Sequence, residues 1–241
     1  GMLSCDFVRG ENDSVGIENV VWTPLVNYTD RQTYAVYAVK DFTNELAAND
    51  AVPASSAMFG QKPTCLVITD SDQDSVDDVK DQFDQILLDM KIAHRDVDIA
   101  TDGADAIPSL TSFDRVIVLM PSLDGLGTHL TDLMSWVSAG GSLMLGMTPD
   151  NSNCLQAIAS KLGIESAGYD YATAESIVPS EDFMLGGGER YEFSDPFDSS
   201  LSVSLRETAH VWAKTGDAGT PLIWSNDCGS GHTVVCNIGI Y

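Results

Sequence analysis

Short apolar runs alternate with stretches of helical period between residues 64 and 163, and this alternation constrains the fold more than any other feature. Cys65-Leu66-Val67-Ile68-Thr69 is a continuous apolar run, the pattern of a strand buried on both faces. Ser75 then opens a helix, with Asp78 three residues on as a capping box. Val76, Val79, Phe83, Ile86, Leu87 and Met90 make its single apolar stripe. His94 to Ile99 reads as a weaker second strand and Arg115 to Met120 as the strongest. A helix through Leu130, Leu133, Met134, Trp136 and Val137 stops at Gly140-Gly141, where a left-handed residue is available. Ser142 to Met147 is a fourth strand, and Asn153 to Leu162 a short helix closed by Gly163. Strands joined by helical crossovers predict an α/β fold built on a doubly wound, mostly parallel sheet.

The pattern changes on either side of this block. After about residue 165 the apolar runs are short and alternating, as in Leu201-Ser202-Val203-Ser204-Leu205 and His210-Val211-Trp212-Ala213. Pro221 to Ser225 and His232 to Asn237 flank Cys228-Gly229-Ser230-Gly231, which reads as a hairpin turn. Antiparallel strands are therefore expected to extend one side of the sheet in the C-terminal half. Residues 1–63 read as a separate extension: a short strand at Val20-Val21-Trp22, a helix capped by Asp30 and carrying Tyr34, Tyr37, Ala38, Phe42 and Leu46, and a polar linker over 49–63. The domain expected from the alternation spans 64–241.

Charge narrows the partners. Thirty-six acidic residues against 12 basic ones leave a formal net charge of −24 on 241 residues. Nucleic acid and anionic membrane surfaces both demand a basic face, so neither is an expected partner. An apolar fraction of 44 % supplies a core. No apolar run reaches the roughly 18–20 residues of a membrane span. Five cysteines form no Cys-x-x-Cys pair, which argues against a zinc cage; Cys65 and Cys236 lie in strand-like runs and read as core. Gly1 before Met2, and an end on Ile238-Gly239-Ile240-Tyr241, lead to the expectation of a piece of a longer chain.

Taken together, Asp114 opening "DRVIVLMP", a helix ending "WVSAGGSLMLGM" and the closing "PLIWSNDCGSGHTVVCNIG" resemble the flavodoxin-like fold of class I glutamine amidotransferases. The last segment is similar to the final hairpin of non-catalytic and trehalose-utilisation-type relatives. The chain resembles still more an uncharacterised bacterial family whose members carry this domain between a membrane anchor and a polysaccharide-deacetylase-like domain. The likeness covers about residues 64–241. It implies an extracytoplasmic, membrane-anchored protein of exopolysaccharide or cell-envelope metabolism, with polysaccharide and a deacetylase-like domain as partners. In true amidotransferases a strand runs into Gly-x-Cys-x-Gly, with the cysteine as nucleophile. The matching segment is Gly146-Met147-Thr148-Pro149-Asp150, with Thr148 at the cysteine position and no His-x-Glu pair anywhere. A threonine hydroxyl without an adjacent base is a poor nucleophile, so glutaminase chemistry is not expected and no catalytic residue is assigned.

Candidate ligand-binding residues follow from the rule that open α/β sheets bind at the carboxyl ends of their parallel strands. Those loops hold Asp70, Asp72, Ser122, Asp124, Thr148, Asp150 and Asn151, which would hydrogen-bond sugar hydroxyls or hold a divalent cation; ordinary turn chemistry explains the same residues. Asp70, Asp72 and Asp74 begin like a calcium loop, yet Ser75 stands where that loop needs glycine and Asp81 where it needs glutamate. The competing reading is a solvated acidic loop at a helix N-terminus, and no cofactor is assigned. Cys154 at a helix start, the Cys228–His232 pair, Gly186-Gly187-Gly188 and the acceptor motif Asn27-Tyr28-Thr29 each have plainer structural readings. Three functions stay open: a non-catalytic glycan-binding or scaffolding domain, a carboxylate- or metal-dependent hydrolase in the acidic crevice, and a plain protein-interaction domain.

Overall fold

The computed structural model describes residues 2–9, 15–23, 37–39, 51–53, 63–90, 92–183, 188–216 and 218–238. The chain divides into two compact units, Gly1–Tyr34 and Ala35–Tyr241. In the first, β1 (Met2–Arg9) pairs antiparallel with β2 (Val15–Thr23), and the register shifts between Ser4 and Asp6. The strand expected at Val20-Val21-Trp22 is part of β2. In the second unit, β3 (Tyr37–Val39) pairs antiparallel with β4 (Ala51–Pro53). This corrects two expectations. Tyr37 and Ala38 belong to a strand, not a helix, and the stretch expected as linker contains one. Short apolar runs of tyrosine, alanine and valine fit either period, and the pairing with 51–53 decides between them. The rest of the expected helix and the Asn27-Tyr28-Thr29 motif lie outside the described residues, as do Gly186 and Gly187.

Among the described residues nine strands form one sheet. Its parallel part is β5 (Cys65–Thr69), β6 (His94–Asp98), β7 (Arg115–Leu119) and β8 (Ser142–Leu145), ordered β6-β5-β7-β8. Strand alternation divides the core between the two faces. Cys65 and Val67 of β5 and Ile117 and Leu119 of β7 pack with Val76, Val79, Phe83 and Leu87 of α1 (Val76–Asp89). Leu66, Ile68, Val116, Val118, Leu143 and Leu145 face the other way, onto Leu130, Leu133, Met134 and Val137 of one helix and Leu155 and Ile158 of a shorter one. Helices therefore cover both faces, which is why these strands read as unbroken apolar runs.

The crossovers differ in length. Between β6 and β7 stand only α2 (Ile99–Asp102) and two 3-10 turns, Ala104–Ala106 and Leu110–Ser112. Ser75, the expected cap of α1, stands just before it at φ 62°, and its carbonyl accepts the Val79 N–H at 3.2 Å. The other two helices are α3 (His129–Ser138) and α4 (Asn153–Ile158), the latter capped by the Ser152 hydroxyl, which accepts the Leu155 N–H at 3.2 Å.

The sheet continues with β9 (Ile164–Pro179), β10 (Tyr191–Leu205), β11 (Ala209–Thr215), β12 (Pro221–Cys228) and β13 (Gly231–Cys236). Its full order is β10-β9-β11-β12-β13-β8-β7-β5-β6. Beyond β13 every pairing is antiparallel, whereas β13 itself runs parallel to β8. The C-terminal half thus extends the same sheet, as the alternating runs led one to expect. Buried polar groups pin it in place. Trp224, fully buried, donates Nε1–H to the Leu162 carbonyl at 2.8 Å. Asn237, equally buried, accepts the Leu201 N–H on Oδ1 at 2.8 Å and donates Nδ2–H to the carbonyls of Leu201 and Pro221 at 2.9 and 3.0 Å.

The β12–β13 hairpin turns on Gly229 and Ser230 and sits against the carboxyl end of α3. The Ser230 N–H donates to the Ser138 carbonyl at 3.0 Å, and the His232 N–H to the Gly141 carbonyl at 3.2 Å. A Cβ on Gly231 would lie 2.0 Å from the Val137 carbonyl oxygen and 2.2 Å from that of Gly141; on Gly229 it would lie 2.4 Å from that of Ser138. All three oxygens are backbone and cannot swing away. Gly231→Ala is therefore expected to cost about 3 kcal/mol, toward the upper end for overpacking. Gly219→Ala, at φ 68° with no atom within 4 Å of its Cβ, should cost only about 1 kcal/mol for the left-handed backbone. Urea unfolding of the two variants checks the ranking, which equal losses would refute.

Candidate functional site

The loops leaving β5, β7 and β8 meet at the carboxyl ends of the parallel strands. Asp72, Gln73, Asp74 and Ser75 from the first, Pro121 and Ser122 from the second, and Asp150 from the third line a crevice of about 700 Å³. The strand order puts these loops side by side, because β5, β7 and β8 are consecutive neighbours.

Gln73 holds two walls together. Its Nε2 donates to Asp70 Oδ2 at 2.7 Å and to the Ser122 carbonyl at 3.0 Å, while its Oε1 accepts the Ser122 N–H at 2.8 Å. The third wall is tied in by the Asp150 N–H, which donates to the Pro121 carbonyl at 2.9 Å. On the far side, Asp98 anchors the β5 loop: its carboxylate accepts the Ser71 N–H at 3.0 Å and the Ser71 hydroxyl at 2.6 Å. The same carboxylate caps α2 through the Ala100 N–H at 3.2 Å and accepts the Thr101 hydroxyl at the same distance. Burial alone would raise the Asp98 carboxyl, but these hydrogen bonds outweigh it and hold the group below the usual carboxylate range.

The structure brings Asp72, Ser122 and Asp150 together on the crevice wall, with Asp74 beside them. The other candidates have different surroundings. Asp70 accepts from Gln73. Asn151 donates Nδ2–H to the carbonyls of Ala167 and Gly168 at 3.2 and 2.9 Å and accepts from Gln156, so it ties the β8 loop to β9. Asp124 accepts the Cys154 thiol, and this contact, more than burial, pushes that thiol up. A thiolate at the start of α4 is thereby disfavoured. Thr148 is 3 % exposed, and its Oγ1 has no hydrogen-bond partner.

Each of the four histidines lies beside an aspartate: His94 by Asp84 and Asp96, His129 by Asp105, His210 by Asp182, His232 by Asp227. Cys228 is in contact with the Ser138 hydroxyl at 3.3 Å, and β-register places Cys236 opposite Ile223, not Cys228. Sequence reasoning missed Gln73 and Asp98. An aspartate between a strand and a helix start was a usable cap signal for Asp98; the partners of Gln73 stand 49 residues away, and no local pattern reveals them. It also missed the three ligand-type groups that converge most closely among the described residues, Asp84, His94 and Asp96, at the opposite end of β6.

A family model described as "Uncharacterised protein conserved in bacteria (DUF2194)" matches residues 52–208. No curated protein matches. Among solved structures, a cold-adapted β-galactosidase from Rahnella sp. R3 superposes with a TM-score of 0.52 at 19 % identity, covering 73 % of this chain and 28 % of its own. A cytoplasmic protein from Salmonella typhimurium LT2 gives 0.53 at 12 % identity, over 73 % of this chain and 87 % of its own. A ThuA-like protein from Bacteroides uniformis gives 0.50 at 11 % identity, over 73 % and 80 %. The chain thus spans under a third of the β-galactosidase, and these likenesses establish the mixed α/β fold alone. No described helix is long and apolar enough to cross a membrane.

The Asp98 geometry makes a pH prediction. A carboxyl held below its unfolded pKa of about 3.9 stabilises the fold above that pH and loses the contribution as pH falls through the folded value. Asp98→Ala should cost about 1–2 kcal/mol at pH 7, and the gap to wild type should narrow below about pH 4. Urea unfolding at pH 7, 5 and 3.5 checks it; a gap that stays constant would show that the charge of Asp98 contributes nothing.

Proposed function

This chain belongs to the bacterial DUF2194 family, and we propose that it is a non-catalytic, glutamine amidotransferase-like domain that binds glycan in the crevice at its strand carboxyl ends. The observation that carries the reading is Thr148. At the position where an amidotransferase holds its nucleophile, this chain has a buried hydroxyl with no hydrogen-bond partner, hence no base poised to deprotonate it. The neighbouring thiol of Cys154 is pushed up by Asp124 and offers no substitute.

The crevice wall is instead an array of acceptors and donors. Carboxylates of Asp72, Asp74 and Asp150 and the hydroxyls of Ser75 and Ser122 suit vicinal sugar hydroxyls. Their negative charge favours a polymer bearing ammonium groups, such as a partly deacetylated amino sugar. In this reading the protein works outside the cytoplasm, membrane-anchored through another part of a longer chain, and a deacetylase-like domain performs any hydrolysis. A fold that makes up 28 % of a β-galactosidase chain has a precedent as one part of a larger carbohydrate-acting protein.

The test is calorimetric titration of the full chain with a glucosamine hexamer and, for comparison, an uncharged glucose hexamer. The amino-sugar oligomer should bind in 1:1 stoichiometry and more tightly than the neutral one. The double variant Asp72→Asn, Asp74→Asn should weaken it about tenfold, equivalent to about 1.4 kcal/mol. No acetate or ammonia should be released from acetylated oligomer or glutamine. Equal affinity in the double variant would overturn the site assignment, and turnover would overturn the non-catalytic reading.

A further inference from the structure

At the amino end of β6, remote from the crevice, an imidazole and two carboxylates converge. His94 and Asp96 lie two apart on this strand and so face the same side, toward α1, where Asp84 meets them. The His94 Nε2 lies 3.4 Å from Asp84 Oδ1 and 3.7 Å from Asp96 Oδ1, and all three atoms fall within 4.8 Å of one another. Both oxygens are buried and have no hydrogen-bond partner. The side chains as wholes are 34 %, 19 % and 32 % exposed for Asp84, His94 and Asp96, so the cluster lies near the surface.

The tautomer of His94 sharpens the point. Its Nδ1 stands 3.4 Å from the Ile92 carbonyl, a group that only accepts, so in the neutral ring Nδ1 carries the hydrogen and Nε2 presents a lone pair. Three lone-pair atoms then converge, an arrangement that repels unless a cation sits between them. A backbone carbonyl on the far ring nitrogen is also the usual support of a metal-ligating histidine. Ligands at about 2.1 Å from a tetrahedral ion stand about 3.4 Å apart, close to the two distances from His94 Nε2 to the carboxylate oxygens.

Lys80 answers only part of this charge: its ammonium pairs with the other oxygen of Asp84, Oδ2, and forms a longer ion pair of 3.8 Å with Asp96 Oδ1, while Asp84 Oδ1 faces the His94 ring. The competing occupant is a proton: the Asp84 carboxylate favours the protonated ring, with burial opposing.

We propose that Asp84, His94 and Asp96 form a binding site for one divalent transition-metal ion of the zinc type. One imidazole with two carboxylates matches the borderline preference of Zn²⁺, whereas calcium and magnesium prefer oxygen alone. Three protein ligands leave a coordination position to water. The proposal stands apart from the glycan reading, since the two sites share no residue.

The experiment is a Zn²⁺ titration of the untagged full chain at pH 7.5 by calorimetry, with histidine-detected ¹H–¹⁵N NMR alongside. One Zn²⁺ should bind per chain, and the imidazole resonances that move first should be those of His94, not of His129, His210 or His232. His94→Gln and Asp96→Asn should each weaken binding at least tenfold. Lys80→Met should keep or tighten it, because it removes a positive charge without removing a ligand. Asp72→Asn with Asp74→Asn should leave it unchanged, which separates a built site from the general acidity of the surface. The wild-type NMR readout decides the matter even if a variant fails to fold. Absence of stoichiometric binding, first movement of another histidine, or undiminished binding in folded His94→Gln would overturn the proposal.

Discussion

The junction between β8 and β13 joins the two halves of the sheet, and it rests on a hairpin without side chains. Parallel strands require long crossovers, whereas the C-terminal strands are joined by short turns. The chain reconciles the two by laying its last strand parallel to β8 and then building outward antiparallel. That strand reaches β8 only if its turn passes the carboxyl end of α3. Gly229 and Gly231 allow the passage, with Val137, Ser138 and Gly141 carbonyls where any Cβ would stand. The turn also gives those helix-end carbonyls donors, Ser230 N–H and His232 N–H, which they would otherwise seek from water. One close approach thus closes the edge of β8 and caps a helix.

Polar groups then lock the added strands to the core. The segment after α4 offers the carbonyls of Lys161 and Leu162, and β12 and β13 answer with Asn226 Nδ2, Thr233 Oγ1 and Trp224 Nε1. Buried carbonyls left unpaired would each cost roughly 1–3 kcal/mol, so these contacts select one register for the antiparallel half. Asn237 does the same between β10 and β12. The apolar core alone would not fix that choice, because alternating strands slide by two residues without changing which face is buried.

How legible each element was depended on how local its cause was. β5, β7 and β8 were readable because burial on both faces leaves an unbroken apolar run, and β12–β13 because a Gly-Ser-Gly turn punctuates two such runs. β9 and β10 are long but rich in serine, aspartate and alanine, and their register shifts between Glu192 and Phe197 and again between Phe197 and Ser200. Pairing, not side-chain pattern, makes them strands. The strand at Tyr37–Val39 was read as helix for the same reason. At the crevice, the carboxyl-end rule named Asp72, Ser122 and Asp150, which line its wall. It could not tell wall residues from those that serve as ties, such as Asp70 and Asn151, because their partners are the distant-loop backbone and a glutamine side chain. The Asp84–His94–Asp96 cluster did leave a trace: polar residues on the inward face of a strand, beside a Lys-x-x-x-Asp pair on the helix covering it.

The strong acidity has one consequence across the molecule. With 36 carboxylates and 12 cationic side chains, ion pairing cannot neutralise most of the charge. Where carboxylates stay at the surface, solvent screens them at little cost. Where the fold draws them in, other groups answer: backbone and hydroxyl donors at Asp98, a glutamine amide at Asp70, and Lys80 with His94 at Asp84 and Asp96. At Asp98 and Asp70 each answer is a donor pointed at a carboxylate. The same excess lines the crevice with Asp72, Asp74 and Asp150. The same charge acts on the thiol at the start of α4, where Asp124 pushes Cys154 up and disfavours a thiolate.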